Sequence, residues 1–310
     1  GGNGNDTFNV NDGTDAISDL SSGDILKITA GATANATGIA GFTATSATIN
    51  NSTVAKGKLT ANNSGVTIDL GLVASGNGFS VTGGTGADTL KGSSGNDIIL
   101  GGNESDTLQG NSGDDSLTGG SGDDTMTGNN GADTFNVDSG TDTIVDLATN
   151  DILVVTGSAN ANATGISSFV ATNGTKNTGS GTASLSGANT NITIDLTDIL
   201  SGNFTVTGGT GVDTLKGGSG NDIINGGLGN DQITGNGGHD IITGGGGDDQ
   251  LTGNAGTDTF KVDSGTDTIT DLGGSGATAD VLIVSATATA KATGISSFTA
   301  NNSTRNDGTA

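Results

Sequence analysis

The chain has 310 residues, 33 acidic and 9 basic side chains for a net charge of −24, 59 glycines, one His, and no Pro, Cys, Trp or Tyr. The absence of Cys excludes disulfides and thiolate zinc sites, a single His excludes a multi-histidine metal centre, and no apolar run reaches the length of a membrane-spanning helix. So acidic a surface repels nucleic acid and anionic lipid, so neither nucleic acid nor membrane insertion is expected, and cations are the favoured partners.

In chain order the sequence alternates two textures. Residues 1–9 read GGNGNDTFN, the end of a preceding repeat block. Residues 10–82 form a Thr-, Ser-, Ala- and Asn-rich inter-block region with short alternating stretches. There Ile68 and Leu70 share a face, and Phe79 with Val81 leads into the next block. Residues 83–136 are six gapless nonapeptides: GGTGADTLK, GSSGNDIIL, GGNESDTLQ, GNSGDDSLT, GGSGDDTMT and GNNGADTFN. Residues 137–207 are a second inter-block region, in which Ile192, Ile194 and Leu196 share a face and Phe204 with Val206 precedes the second block. Residues 208–261 are six more nonapeptides, GGTGVDTLK to GNAGTDTFK, and 262–310 begin a third inter-block region. The larger unit repeats as well: GGTGADTLK at Gly83 returns as GGTGVDTLK at Gly208, and ATGI recurs at Ala36, Ala163 and Ala292. We read the chain as a window of a longer tandem array. No 3.6-residue periodicity is sustained, so the prediction is all-β, with the inter-block regions as further short-strand solenoid or sandwich-like layers.

Two columns of the nonapeptide never vary in type. The sixth place is Asp: Asp6, Asp88, Asp97, Asp106, Asp115, Asp124, Asp133, Asp213, Asp222, Asp231, Asp240, Asp249 and Asp258. The eighth is apolar, from Phe8 and Leu90 through Met126 to Phe260. Glycine at the first, second and fourth places allows backbone shapes closed to other residues. The last three residues suit a short strand with one side chain inward. Turn plus strand, repeated, predicts a flattened right-handed coil of parallel strands, two nonapeptides to a turn.

A core of one apolar side chain per nonapeptide is too thin to offset the ordering entropy of so glycine-rich a chain. A ligand that binds only the folded form must contribute. Calcium suits the donors: it takes six to eight oxygens from carboxylates and backbone carbonyls in a tolerant geometry, and it neutralises stacked aspartates. Successive turns fall on opposite edges, so an ion should bridge a turn with the one two motifs later, giving about four full sites per block. The thirteen sixth-place aspartates are the candidate ligands.

The pattern GGxGxDxUx resembles that of RTX (repeats-in-toxin) proteins. The runs DGTDAISDL, SGTDTIVDL and SGTDTITDL (from Asp12, Ser139 and Ser264) are similar to the segment that comes after such repeats. The resemblance implies a calcium-bound parallel β-roll in a Gram-negative, type I secreted, extracellular protein that folds on meeting external calcium. Glu104 at a fourth place and Ser105 before Asp106 depart from the pattern, so a distorted site near Asp106 is expected. Ser93, Asn111, Asn129, Asn236 and Asn254 replace the second glycine, a tolerated change.

The remaining acids divide. Asp114, Asp123 and Asp248, at fifth places, are expected to face solvent. The post-block residues Asp142, Asp146, Asp151, Asp267, Asp271 and Asp280 could cap the roll or bind a further ion, and both readings stand. His239 lies at a variable fifth place with no counterpart in the other block, which leaves a Ser–His–Asp mechanism without its base. No enzyme is expected. Tandem near-identical units make length or surface, so the expected function is a calcium-stiffened, self-associating structural region: a surface (S-layer-like) coat, a filament or an adhesin stalk. The alternative is the secretion and folding module of an exoenzyme or toxin whose activity lies elsewhere.

Overall fold

A computed structural model describes residues 1–53, 56–74, 76–273, 279–295 and 305–306. It contains strands, turns and bends and no helix among the described residues, so none is long and apolar enough to cross a membrane. Two compact units emerge, one of residues 1–146 with 151–161, the other of residues 147–150 with 162–310. Each carries one nonapeptide block.

In the first unit, alternate strands join alternate sheets. Ile98–Asn103, Ser116–Ser121, Thr134–Val137 and Ile152–Val155 lie side by side in one; Thr89–Lys91, Thr107–Ser112, Thr125–Asn130 and Thr141–Ile144 lie in the other. All pair in parallel, and each residue sits beside its equivalent two nonapeptides on: Ile99 by Leu117, Phe135 and Leu153; Leu90 by Leu108, Met126 and Ile144. This is a β-solenoid with two nonapeptides per coil. The second unit repeats it. Val206, Ile224, Ile242, Phe260 and Leu282 form one column, and Ile194, Leu215, Ile233, Leu251 and Ile269 the other. In the block strands the eighth-place side chain is buried and its two neighbours are not, as a period of two requires.

The inter-block segments continue the coil with a longer step. Leu59 pairs with Val81 and Ile68 with Leu90 in the first unit, and Leu185 pairs with Val206 in the second. The columns through Leu59 and Ile68 in the first unit, and through Leu185 and Ile194 in the second, run on into the blocks, so these layers are solenoid rather than sandwich, while Thr7–Val10, Ile25–Ile28 and Ile49–Asn50 form a parallel sheet of their own.

Candidate metal centre

Each block turn is shaped by its glycines. Second and fourth places take positive φ: Gly120 at 102° with Gly122 at 136°, and Gly245 at 99° with Gly247 at 134°. Where Asn stands second it takes the same conformation, as at Asn111 (81°) and Asn236 (75°), because its side chain tolerates the left-handed region. Glu104 does so too, at 67°. That angle is smaller than the 110° at Gly113 or the 144° at Gly131 in the same place, yet Asp106 keeps its ladder bond and its unpartnered Oδ2. First-place glycine answers another demand: a methyl on Gly226 would lie 2.3 Å from Asp231 Oδ2 and 2.5 Å from the carbonyl oxygen of Gly244. The carboxylate and the next coil's carbonyl converge there.

These turns stack the sixth-place aspartates into ladders along both edges of the coil. Oδ1 of each accepts the N–H of the aspartate one coil earlier: Asp88 donates to Asp106 at 2.7 Å, Asp106 to Asp124 at 2.7 Å, and Asp115 to Asp133 at 2.8 Å. In the second unit Asp213 donates to Asp231 and Asp222 to Asp240, both at 2.8 Å. Val66, Phe79, Ile192 and Phe204 donate to the first rung of each ladder.

The second oxygen is left over. Oδ2 is buried without a hydrogen-bond partner in Asp6, Asp88, Asp106, Asp115, Asp124, Asp133, Asp213, Asp231, Asp240, Asp249 and Asp258. The twelve of the column that lie within the two blocks are at most 2 % exposed. A buried carboxylate oxygen with no donor is costly, and a cation is the natural remedy. Burial pushes these carboxyls up, Asp115 to about 8, Asp240 to about 7, and Asp106, Asp133, Asp231 and Asp258 to about 6, with neighbouring carboxylates adding to the rise. No group of three or more acidic or histidine side chains gathers among the described residues. Carboxylates arrive one per turn, so a cation's remaining ligands must be backbone carbonyls. Oxygen-only donors of this kind fit calcium.

Two aspartates of the column differ. Asp97 Oδ2 accepts the Ser93 N–H at 2.6 Å and the Ser93 hydroxyl at 3.1 Å; Asp222 Oδ2 accepts the Gly218 N–H at 2.8 Å. Both lie in the second nonapeptide of their block. Ser93, Gly95, Gly218 and Gly220 have no positive φ, so the shape belongs to the position and not to the Ser substitution. Each of these turns rests on an inter-block loop, with Ser94 N–H bonded to Val73 O at 3.1 Å and Ser219 N–H to Ile199 O at 3.2 Å. A loop of different course beneath imposes a different turn above.

The post-block acids fall into two groups by what they accept. Asp142, Asp151, Asp267 and Asp280 extend the ladders, accepting from Asp124 (3.1 Å), Asp133 (2.9 Å), Asp249 (3.1 Å) and Asp258 (2.9 Å). Asp146 caps the last turn, taking the Gly128 N–H at 2.9 Å and the Asn129 N–H at 2.6 Å, and Asp271 does the same for Gly253 and Asn254. A signal for Asp142 and Asp267 was present: VDSGTDTIV (137–145) and VDSGTDTIT (262–270) hold Asp sixth and Ile eighth in the same frame, without the paired glycines.

Fifth-place side chains form an exposed ladder running the opposite way. Asp114, Asp123 and Asp248 accept N–H groups of Ala132, Thr141 and Thr266 one coil later, at 2.8–2.9 Å. His239 Nδ1 accepts from Thr257 at 2.8 Å, so its place is that of a backbone acceptor.

Residues 80–108, 100–135, 109–144, 200–233, 207–242 and 234–269 match the RTX calcium-binding nonapeptide repeat family. No curated protein matches the chain.

Proposed function

We propose that this chain, whose two blocks are RTX calcium-binding nonapeptide repeats, is a calcium-folded structural segment of a type I secreted extracellular protein, part of a surface layer, filament or adhesin stalk. The observation that carries the reading is the row of buried, unpartnered aspartate oxygens along the turns of both blocks. Bound calcium would supply the positive charge those oxygens lack, and it is scarce inside cells and plentiful outside. The chain's own residues do the rest: Oδ1 locks each turn to the next, the free Oδ2 atoms and first-place carbonyls would hold the cation, and the eighth-place side chains fill the narrow core. The same arrangement in both blocks favours a part built for length over a single reaction centre.

Electron microscopy of the native assembly tests this. Filaments or lattices that disperse with a calcium chelator are expected. Dispersed particles in saturating calcium would overturn the assembly reading and favour a secretion and folding module attached to an activity elsewhere.

A further inference from the structure

Sequence motif and free oxygen part company at four places: Asp97 and Asp222 carry the motif without a free oxygen, and Asp142 and Asp267 have the free oxygen without the motif. Taking the calcium reading above as its premise, we propose that the ligand set of each block is displaced along the chain: Asp142 and Asp267, outside the glycine-rich nonapeptides, hold metal, whereas Asp97 and Asp222, inside them, do not.

Asp142 and Asp267 are fully buried, and Oδ2 of each has no hydrogen-bond partner. Their Oδ1 atoms are engaged by the N–H groups of Asp124 and Asp249, so the carboxylates are held in one orientation. In the second unit the two free oxygens meet. The point where a methyl on Gly244 would stand is 2.4 Å from Asp249 Oδ2 and 2.9 Å from Asp267 Oδ2. One coil earlier, the same place beside Gly226 is filled by Asp231 Oδ2 and the carbonyl oxygen of Gly244. At the last gap a second carboxylate therefore stands where earlier gaps present a carbonyl. Two buried anionic oxygens converging without a donor call for a cation more strongly than one does. Asp142 holds the matching rung of the first block, after Asp124.

Asp97 and Asp222 present the opposite case. Both oxygens of each are satisfied by the protein, Oδ1 by the N–H of Phe79 or Phe204 and Oδ2 by that of Ser93 or Gly218. A carboxylate so saturated already has the donors a metal would replace. These two aspartates close the first turn on their edge, and the metal column above them starts at Asp115 and Asp240.

Asparagine tests the point well, because its Oδ1 can keep the ladder bond while the free anionic oxygen is lost. Native mass spectrometry of the whole chain in saturating calcium should count fewer ions in Asp142→Asn and Asp267→Asn, and the wild-type number in Asp97→Asn and Asp222→Asn. Asp231→Asn, in mid-column, is the reference and should lose ions. Loss in Asp97→Asn to the extent seen in Asp231→Asn, or no loss in Asp142→Asn and Asp267→Asn, overturns the displacement. An unchanged count in Asp231→Asn overturns the calcium reading itself. Should an Asn variant unfold its block, anomalous scattering from calcium-grown crystals of the unaltered chain decides: ions are expected beside Asp142 and Asp267 and none on the Asp97 and Asp222 carboxylates, and the reverse pattern sinks the proposal.

Discussion

In the block turns each aspartate gives one oxygen to the backbone of the coil before it, and all but Asp97 and Asp222 keep the other buried and free of any protein donor. The division explains why the column is Asp and never Glu: a longer side chain would carry the carboxylate past the N–H it must accept. It also sets the response to pH. Burial raises Asp115 to about 8 and Asp142, Asp240 and Asp267 to about 7, against an ordinary 3.8. In the metal-free chain the fold thus prefers the protonated form. That contribution to stability is fully present below the ordinary value and is lost as pH rises through the folded values. Circular dichroism of the chelated chain should show more sheet at pH 5 than at pH 8.5. Equal spectra at the two pH values would mean that the carboxyls are solvated in the metal-free state. Calcium reverses the preference, since its ligands must be ionised, and its addition near pH 6.5 should release protons.

A block coil closes in two nonapeptides because its turns are tight, and this rests on small, specific features. The first-place glycine leaves room for its own aspartate and for the next coil's carbonyl. Gly226→Ala places a methyl 2.3 Å from Asp231 Oδ2 and 2.5 Å from Gly244 O, whereas Gly237→Ala meets nothing nearer than 3.6 Å. Neither glycine has positive φ, so the comparison isolates the site from backbone strain. Calcium affinity should fall at least tenfold in Gly226→Ala, about 1.4 kcal/mol, and stay near wild type in Gly237→Ala when both are followed by calorimetric titration. Equal affinities would show that the cradle is not where the cation binds. Asp146 and Asp271 finish each block by taking two N–H groups of the last turn, much as a capping side chain ends a helix. Outside the blocks the coil takes a longer path, and Ile68, Ile194, Val81 and Val206 hold the same core columns without any Asp ladder.

At the scale of the molecule, a thin core in each unit and buried carboxylates set stability against charge. Each site filled at a hundred times its Kd adds about 2.7 kcal/mol to the folded state, so several sites together outweigh the usual margin of a domain. Exhaustive chelation at neutral pH should therefore remove most of the sheet signal and abolish the cooperative melt, and calcium should restore both. Identical sheet content and melting temperature before and after chelation would end the calcium account. Much of this was legible in the sequence, because a period of nine with Asp sixth and an apolar residue eighth specifies turn, strand, inward face and cation preference by local chemistry alone. Which aspartate keeps a free oxygen was not. Asp97 and Asp115 have the same motif, yet one turn rests on the loop containing Val73 and the other on a sister turn, and only that stacking decides where the N–H of the second place points. Asp142 and Asp267 lack the glycines that mark a site, but the register of parallel strands carries them onto the ladders all the same. Local sequence determined what each turn can do; contact between neighbouring coils decided which turns do it.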